Sequence, residues 1–234
     1  LGDITVRESS ARGMYRGVTF SGQYRSGRLT FGSFYTWSEN FSDDDNERSS
    51  GGFDAENQFD LIPEYGYSRI DGRHQFTSYA VGDLPWGFQL SGGFGVRSGW
   101  PLNPTAGSDA NEDFQSFSDR AFEAPGKPFV RNAFRNRSVV TNNSLRGLKS
   151  FNLTESARIQ LSAEFFNLLN LDNVVFGSSF GDEAYGLGVD PATGAVLPAR
   201  SDFMRLRLDD GSYDRSNRQI GRPFQAQFGL RFLF

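Results

Sequence analysis

The sequence predicts an all-β fold: an antiparallel up-and-down transmembrane β-barrel, of which this chain supplies a part. Three observations predict it. Apolar and polar residues alternate with a period of two over stretches longer than soluble strands. Short turns and long polar segments take turns between those stretches. No apolar run approaches the roughly 20 residues a spanning helix requires. In lipid every backbone polar group must pair internally, so closed strands are the remaining way across.

Composition agrees. Phe is the dominant apolar residue at 24 copies, beside 27 Gly, 8 Tyr and 3 Trp, yet hydrophobic residues total only 37% and mean hydropathy is -0.49. A soluble core would draw on Leu, Ile and Val, whereas a barrel dilutes its greasy face with polar lumen residues. There are no cysteines, which a hydrogen-bonded barrel wall does not need. The net charge of -4 argues against nucleic acid as a partner.

Met14 to Arg25 places Met14, Val18, Phe20 and Tyr24 on one side. Arg28 to Ser38 sets Leu29, Phe31, Tyr35 and Trp37 against Thr30, Gly32 and Thr36, with Phe34 as an intruder. Arg73 to Gly82 and Asn142 to Leu153 alternate less cleanly. Trp86 to Gly99 opposes Phe88, Leu90, Phe94 and Val96 to Gln89, Ser91, Gly93 and Arg97. Arg158 to Leu169 opposes Ile159, Leu161, Ala163 and Phe165 to Arg158, Gln160, Ser162 and Glu164. Arg222 to Phe234 is clearest: Phe224, Ala226, Phe228, Leu230, Phe232 and Phe234 share one face, with Gln225, Gln227, Gly229 and Arg231 on the other and Leu233 the one apolar exception after Pro223. These are about seven strands of the ~9–11 residues that a tilted bilayer-crossing strand needs.

Tight turns are expected at Arg25–Arg28, Asp83–Trp86 and Asn152–Ser156, and long loops at Asn40–Ile70, Pro101–Thr141 and Asn170–Gly221. Loops so long are uncommon in compact soluble domains. Short turns on one side and long loops on the other are the arrangement of an outer-membrane barrel, with turns in the periplasm and loops outside. Asp190 to Gly194 reads as a turn of a hairpin within the last loop.

Aromatic residues near strand ends predict interfacial girdles: Tyr35, Trp37 and Trp100 outside, Tyr24, Phe31, Trp86, Phe88, Phe232 and Phe234 inside. The competing reading, in which they fill a soluble core, leaves strand length and loop asymmetry unexplained. Arg97, Arg158, Glu164, Gln225, Gln227 and Arg231 are expected on the lumen side, where they meet a plug or line a passage.

Several stretches carry a resemblance. Ala163-Glu164-Phe165-Phe166-Asn167-Leu168-Leu169-Asn170, then a long loop, then Gly221-Arg222-Pro223-Phe224 through Phe234, resembles the end of a TonB-dependent receptor. Phe34-Tyr35-Thr36-Trp37-Ser38, Asp71-Gly72-Arg73-His74-Gln75-Phe76 leading to Leu84-Pro85, and Gly87-Phe88-Gln89-Leu90-Ser91-Gly92 leading to Ser98-Gly99-Trp100-Pro101 resemble its Oar-like branch. Each motif is weak alone; their order and spacing over nearly the whole chain are more specific. The resemblance implies a barrel of 22 strands, an N-terminal plug, energy coupling through TonB and, in Oar-like members, an N-terminal β-sandwich. None of these N-terminal parts is recognisable, so residues 1–234 are expected to be the C-terminal part of such a barrel. The resemblance also implies that Phe228, Leu230, Phe232 and Phe234 form the signal read by the barrel-assembly machinery; the alternative is that Phe234 merely belongs to the inner girdle.

Candidate chemistry is sparse, and no catalytic, cofactor or metal site is assigned. The one histidine, His74, is a conceivable proton carrier, but its place at a strand start favours a structural role. No Gly-x-Ser-x-Gly elbow, phosphate loop or paired-His motif occurs. Asp43-Asp44-Asp45 and Asp209–Asp214 invite comparison with calcium sites, but the spacing fits no EF-hand loop, and a solvated, ligand-facing charge run is expected. The expected function is that of an outer-membrane receptor wall whose external loops capture an unidentified ligand for uptake or export. The alternatives are a structural or adhesive barrel and an outer-membrane enzyme.

Overall fold

The computed structural model describes residues 9–45, 55–57, 59–110, 119–136, 139–176, 183–185, 195–196, 198–214 and 218–234. Seven long strands carry it: β1 (Gly13–Ser26), β2 (Leu29–Ser42), β3 (His74–Leu84), β4 (Phe88–Arg97), β5 (Val140–Asn152), β6 (Arg158–Phe166) and β7 (Gln225–Leu233). Each pairs antiparallel with its sequence neighbour, so the order β1 to β7 is an uninterrupted meander. The short segment Gly66–Tyr67 adds to the far end of β2. No helix among the described residues is long and apolar enough to cross a membrane.

The register propagates one face across the sheet. Phe228 lies beside Ala163, which lies beside Gly147, Leu90, Gly82, Leu29 and Ser26 in turn. Reading outward from that row, the same face carries Phe20, Phe31, Tyr35, Phe76, Phe88, Phe94, Leu145, Phe151, Ile159, Leu161, Leu230 and Phe232. The opposite face carries Gln23, Thr30, Gln75, Gln89, Asn142, Arg146, Gln160 and Gln227. The apolar face is bare: Phe228 is 76% exposed and Leu230 72%. β3 and β5 alternate weakly in sequence because Ser78, Gly82, Gly147 and Lys149 share this apolar face.

Phe34 lies on the polar face. Its ring stacks with Tyr79 at 6.3 Å, and Tyr79 in turn lies over Gly32, where a Cβ would meet the ring at 2.5 Å. The intruder is thus half of an aromatic pair, made possible by a missing side chain.

All three short connections lie at one end. Gly27-Arg28 joins β1 to β2, Pro85–Gly87 joins β3 to β4, and residues 153–157 join β5 to β6. In the middle one Trp86 and Gly87 take φ of 61° and 76°, and a Cβ on Gly87 would stand 2.8 Å from the Ser150 carbonyl oxygen. That turn needs glycine on both counts.

The three long connections, residues 43–73, 98–139 and 167–224, leave from the other end. They pack on one another. Pro101–Leu102 pairs with Phe134–Arg135, Pro104–Thr105 with Glu183–Ala184, and Val174–Phe176 with Arg218–Ile220. The buried apolar side chains described, Ala55, Pro101, Leu102, Pro104, Ala106, Ala121 and Val174, lie in these connections and none in the seven strands.

The first acidic run departs from the expectation of a solvated, ligand-facing charge run. Asp43-Asp44-Asp45 is not a solvated run. Asp43 is 1% exposed and accepts hydrogen bonds from the Arg12 backbone N–H at 2.6 Å and from its Nε at 2.9 Å. Asp45 accepts from Ser68 Oγ at 2.6 Å and from the Arg69 N–H at 3.0 Å; only Asp44 stays exposed. The carboxylates lock a loop onto a strand end because arginine and backbone donors replace the water they lose. In the second run Asp210 is exposed and bonds Ser212, while Asp214 is buried against Arg205 at 3.0 Å. The expected turn at Asp190 to Gly194 falls outside the described residues.

Candidate functional site

The long connections form a cap whose core is charged. Arg120, 2% exposed, holds the buried Glu64 at 2.6 Å and also pairs with Glu56. Arg131 lies 3.5 Å from Asp45 and donates to the Ser42 carbonyl. Arg135 pairs with the fully buried Asp71 and donates to the Gly99 carbonyl at 3.1 Å. Each arginine comes from residues 98–139 and each acid from residues 43–73, so the ion pairs join two loops that share no strand pairing. An aromatic cluster draws in the third loop: Phe129, Phe134, Tyr185 and Phe203 meet with ring centroids 4.9–5.7 Å apart.

Burial raises the Glu56 carboxyl above its ordinary range; the Arg120 guanidinium opposes this, and Glu64 and Asp119 reinforce it. Burial likewise lowers Arg131, against the pull of Asp45 and Glu64, but guanidinium basicity keeps it charged. Among the described residues no group of three or more His, Cys, Asp or Glu side chains is arranged to hold a metal.

Asparagines fasten the third loop. Asn173 accepts from the Thr141 N–H at 2.7 Å and donates to the Thr141 carbonyl at 2.9 Å. This copies a strand pairing, with a side chain in the place of backbone. Asn167 and Asn170 both sit at φ 48°. Asn167 donates to the Arg222 carbonyl at 2.9 Å, and Asn170 accepts from the Phe224 N–H at 2.9 Å. The two ends of a long loop are therefore tied at its neck, which limits the entropy that an open loop would keep. No periodicity in the sequence marks these residues or the arginines of the cap.

The residues expected at interfaces divide by end. Tyr35 and Trp37 lie on the apolar face near the cap, where the Tyr35 hydroxyl and His74 Nδ1 are 2.8 Å apart. Tyr24, Phe88 and Phe232 lie on the same face near the short turns, and Trp86 occupies a turn, 84% exposed. Trp100 stands apart from this group. It follows β4, its ring meets the Arg97 guanidinium at 4.0 Å, and Arg97 belongs to the polar face. Arg97, Arg158, Glu164, Gln225, Gln227 and Arg231 all share that face, with Glu164 paired to Arg146 at 3.0 Å. Phe228, Leu230 and Phe232 follow one another along the apolar side of β7, and the Phe234 ring lies 5.9 Å from that of Phe232. A cavity of about 660 Å³ opens near the cap end of β1 and β2, lined by Tyr15, Asn40, Asp44, Arg69 and Trp100 among others.

Residues 1–188 match the model of a protein family described as an outer membrane beta barrel domain. The chain belongs to this family. Comparison with curated proteins and with solved structures returns no match. As an outer-membrane barrel domain, the chain resides in the bacterial outer membrane. The bare apolar face is its lipid face and the polar face its lumen side. Barrels of this kind keep short turns on the periplasmic side and long loops outside, and the turns and the cap are assigned on that rule.

Proposed function

We propose that this chain is the C-terminal wall and outer cap of a TonB-dependent, Oar-like receptor, whose cap captures a ligand for transport across the outer membrane. The pairing pattern supports this best. β1 and β7 run in the same direction at opposite edges of a seven-strand antiparallel sheet. Joined directly they would form a parallel pair, so an antiparallel barrel needs an odd number of further strands between them. A wall in a larger barrel leaves room for a lumen plug, and barrels of about eight strands leave none. The polar face, with Gln225, Gln227 and Arg231 exposed at its edge, suits such a plug. The cap, whose loops pack on one another, suits recognition of an external ligand. His74, committed to Tyr35 at the membrane boundary, fits a barrel without enzymatic chemistry.

The test uses the intact polypeptide in outer membranes. A photoreactive residue at Gln227 is expected to cross-link to a plug segment of the same polypeptide, and one at Phe228 to lipid. TonB is expected to cross-link to the protein in energised cells. If Gln227 reaches no plug and TonB never contacts the protein, transport is excluded and an adhesive barrel takes its place.

A further inference from the structure

Lys149 is out of place by composition. It lies on the lipid face, between Phe88 of β4 and Leu161 of β6. The other charged side chains on that face of the seven strands, Arg16 and Glu39, pair with each other near the cap; His74 also lies at that end. On the half of the face nearest the periplasm, Lys149 is the only ionisable side chain among the described residues apart from the Tyr24 phenol. No carboxylate among the described residues forms a salt bridge with it.

Its surroundings show how the charge is tolerated. The ammonium donates to the carbonyl of Trp86, in the periplasmic turn. The same nitrogen lies 4.3 Å from the centre of the Phe88 ring and 5.1 Å from that of Phe151, within cation–π range. The stem therefore runs along apolar surface toward the turn, which is how a lysine brings its charge to the edge of a bilayer. An ammonium has three N–H donors, and the Trp86 carbonyl takes one. Trp86 itself is 84% exposed at the tip of that turn, the depth at which tryptophan meets lipid headgroups.

We propose that Lys149, Trp86, Phe88 and Phe151 form a binding site for the phosphate of an anionic phospholipid in the periplasmic leaflet. The ammonium supplies charge and the remaining donors. The Phe88 and Phe151 rings give the first acyl carbons an apolar wall, and the Trp86 indole lies alongside the headgroup. This site rests on the lipid-facing assignment alone and holds whether or not the barrel transports anything.

The test takes the intact protein, folded in phosphatidylcholine vesicles doped with phosphatidylglycerol, and counts retained lipid by native mass spectrometry. Retention of phosphatidylglycerol is expected to fall about fivefold in Lys149→Gln, the factor for one basic residue at an anionic surface, and to persist in Lys149→Arg. Heat-dependent gel mobility should be the same in all three. In the unmodified protein, retention should drop with added salt and should exceed that of uncharged diacylglycerol. Equal retention in Lys149→Gln overturns the site. So does a lack of preference for phosphatidylglycerol over diacylglycerol in the unmodified protein, a measurement that needs no variant to fold.

Discussion

The strand wall and the extracellular cap invert each other. The wall puts Phe228, Leu230 and Phe20 on its surface and buries no apolar side chain among its described residues. The cap, built from segments that read as polar loops, buries Leu102, Val174, Glu64, Asp71, Asp119, Arg120 and Arg131. The difference follows from the solvent each region meets. Lipid supplies the apolar partners for the wall, so the wall needs only its hydrogen-bonded ladder and one greasy face. The cap meets water and must make its own interior from a sequence poor in aliphatic residues, so it pairs buried charge with buried charge.

Removing one buried charge should separate cap from wall most strongly. Arg120→Ala leaves the Glu64 carboxylate buried without its guanidinium, a change expected to cost about 3–5 kcal/mol. Native-state hydrogen exchange should show cap amides such as Ala121 opening by that amount, while amides of β5 and β6 keep their protection. If the wall loosens equally, cap and wall are one cooperative unit.

A second perturbation tests the wall. Arginine at Leu161, on the lipid face, is expected to destabilise the folded barrel by about 2–4 kcal/mol, whereas arginine at the neighbouring lumen-facing Gln160 should cost well under half of that. Urea titration of the intact protein in vesicles measures both. Similar costs at the two positions would erase the two-sidedness of β6.

The pH response of the cap is subtler. The folded cap raises Glu56 above its usual 4.5, so this residue binds a proton more readily folded than open. Its contribution favours the folded cap fully below about 4.5 and is lost as pH rises through the raised value. Glu56→Gln should flatten the pH dependence of cap opening in that weakly acidic window and leave it unchanged near neutrality. The Arg120 partner makes the effect modest, and exchange rates measured across the window check it.

Much of the wall was legible from residue order. The alternation of Phe224, Phe228 and Phe232 with Gln225, Gln227 and Arg231 assigns faces without coordinates, because strand periodicity is local. β5 was fainter because Gly147 and Lys149 interrupt its apolar side, and the reason for Lys149 lies on other strands, in Phe88 and Trp86. Phe34 could be seen as an exception but not explained until Tyr79 was placed over Gly32. The Asp43–Asp45 run pointed the wrong way, since composition describes charge and says nothing of the arginines that come to meet it.

By itself the amino-acid order determined the seven strands, their two faces and the end at which the long connections gather, since each depends on neighbours two residues away or on segment length. That those connections form a cap, that Arg120, Arg131 and Arg135 fasten it, and that Asn173 imitates a strand to hold it down becomes visible in the folded chain alone. Such contacts join residues far apart in the chain through single side chains, and a single distant partner leaves no period in the sequence to be read.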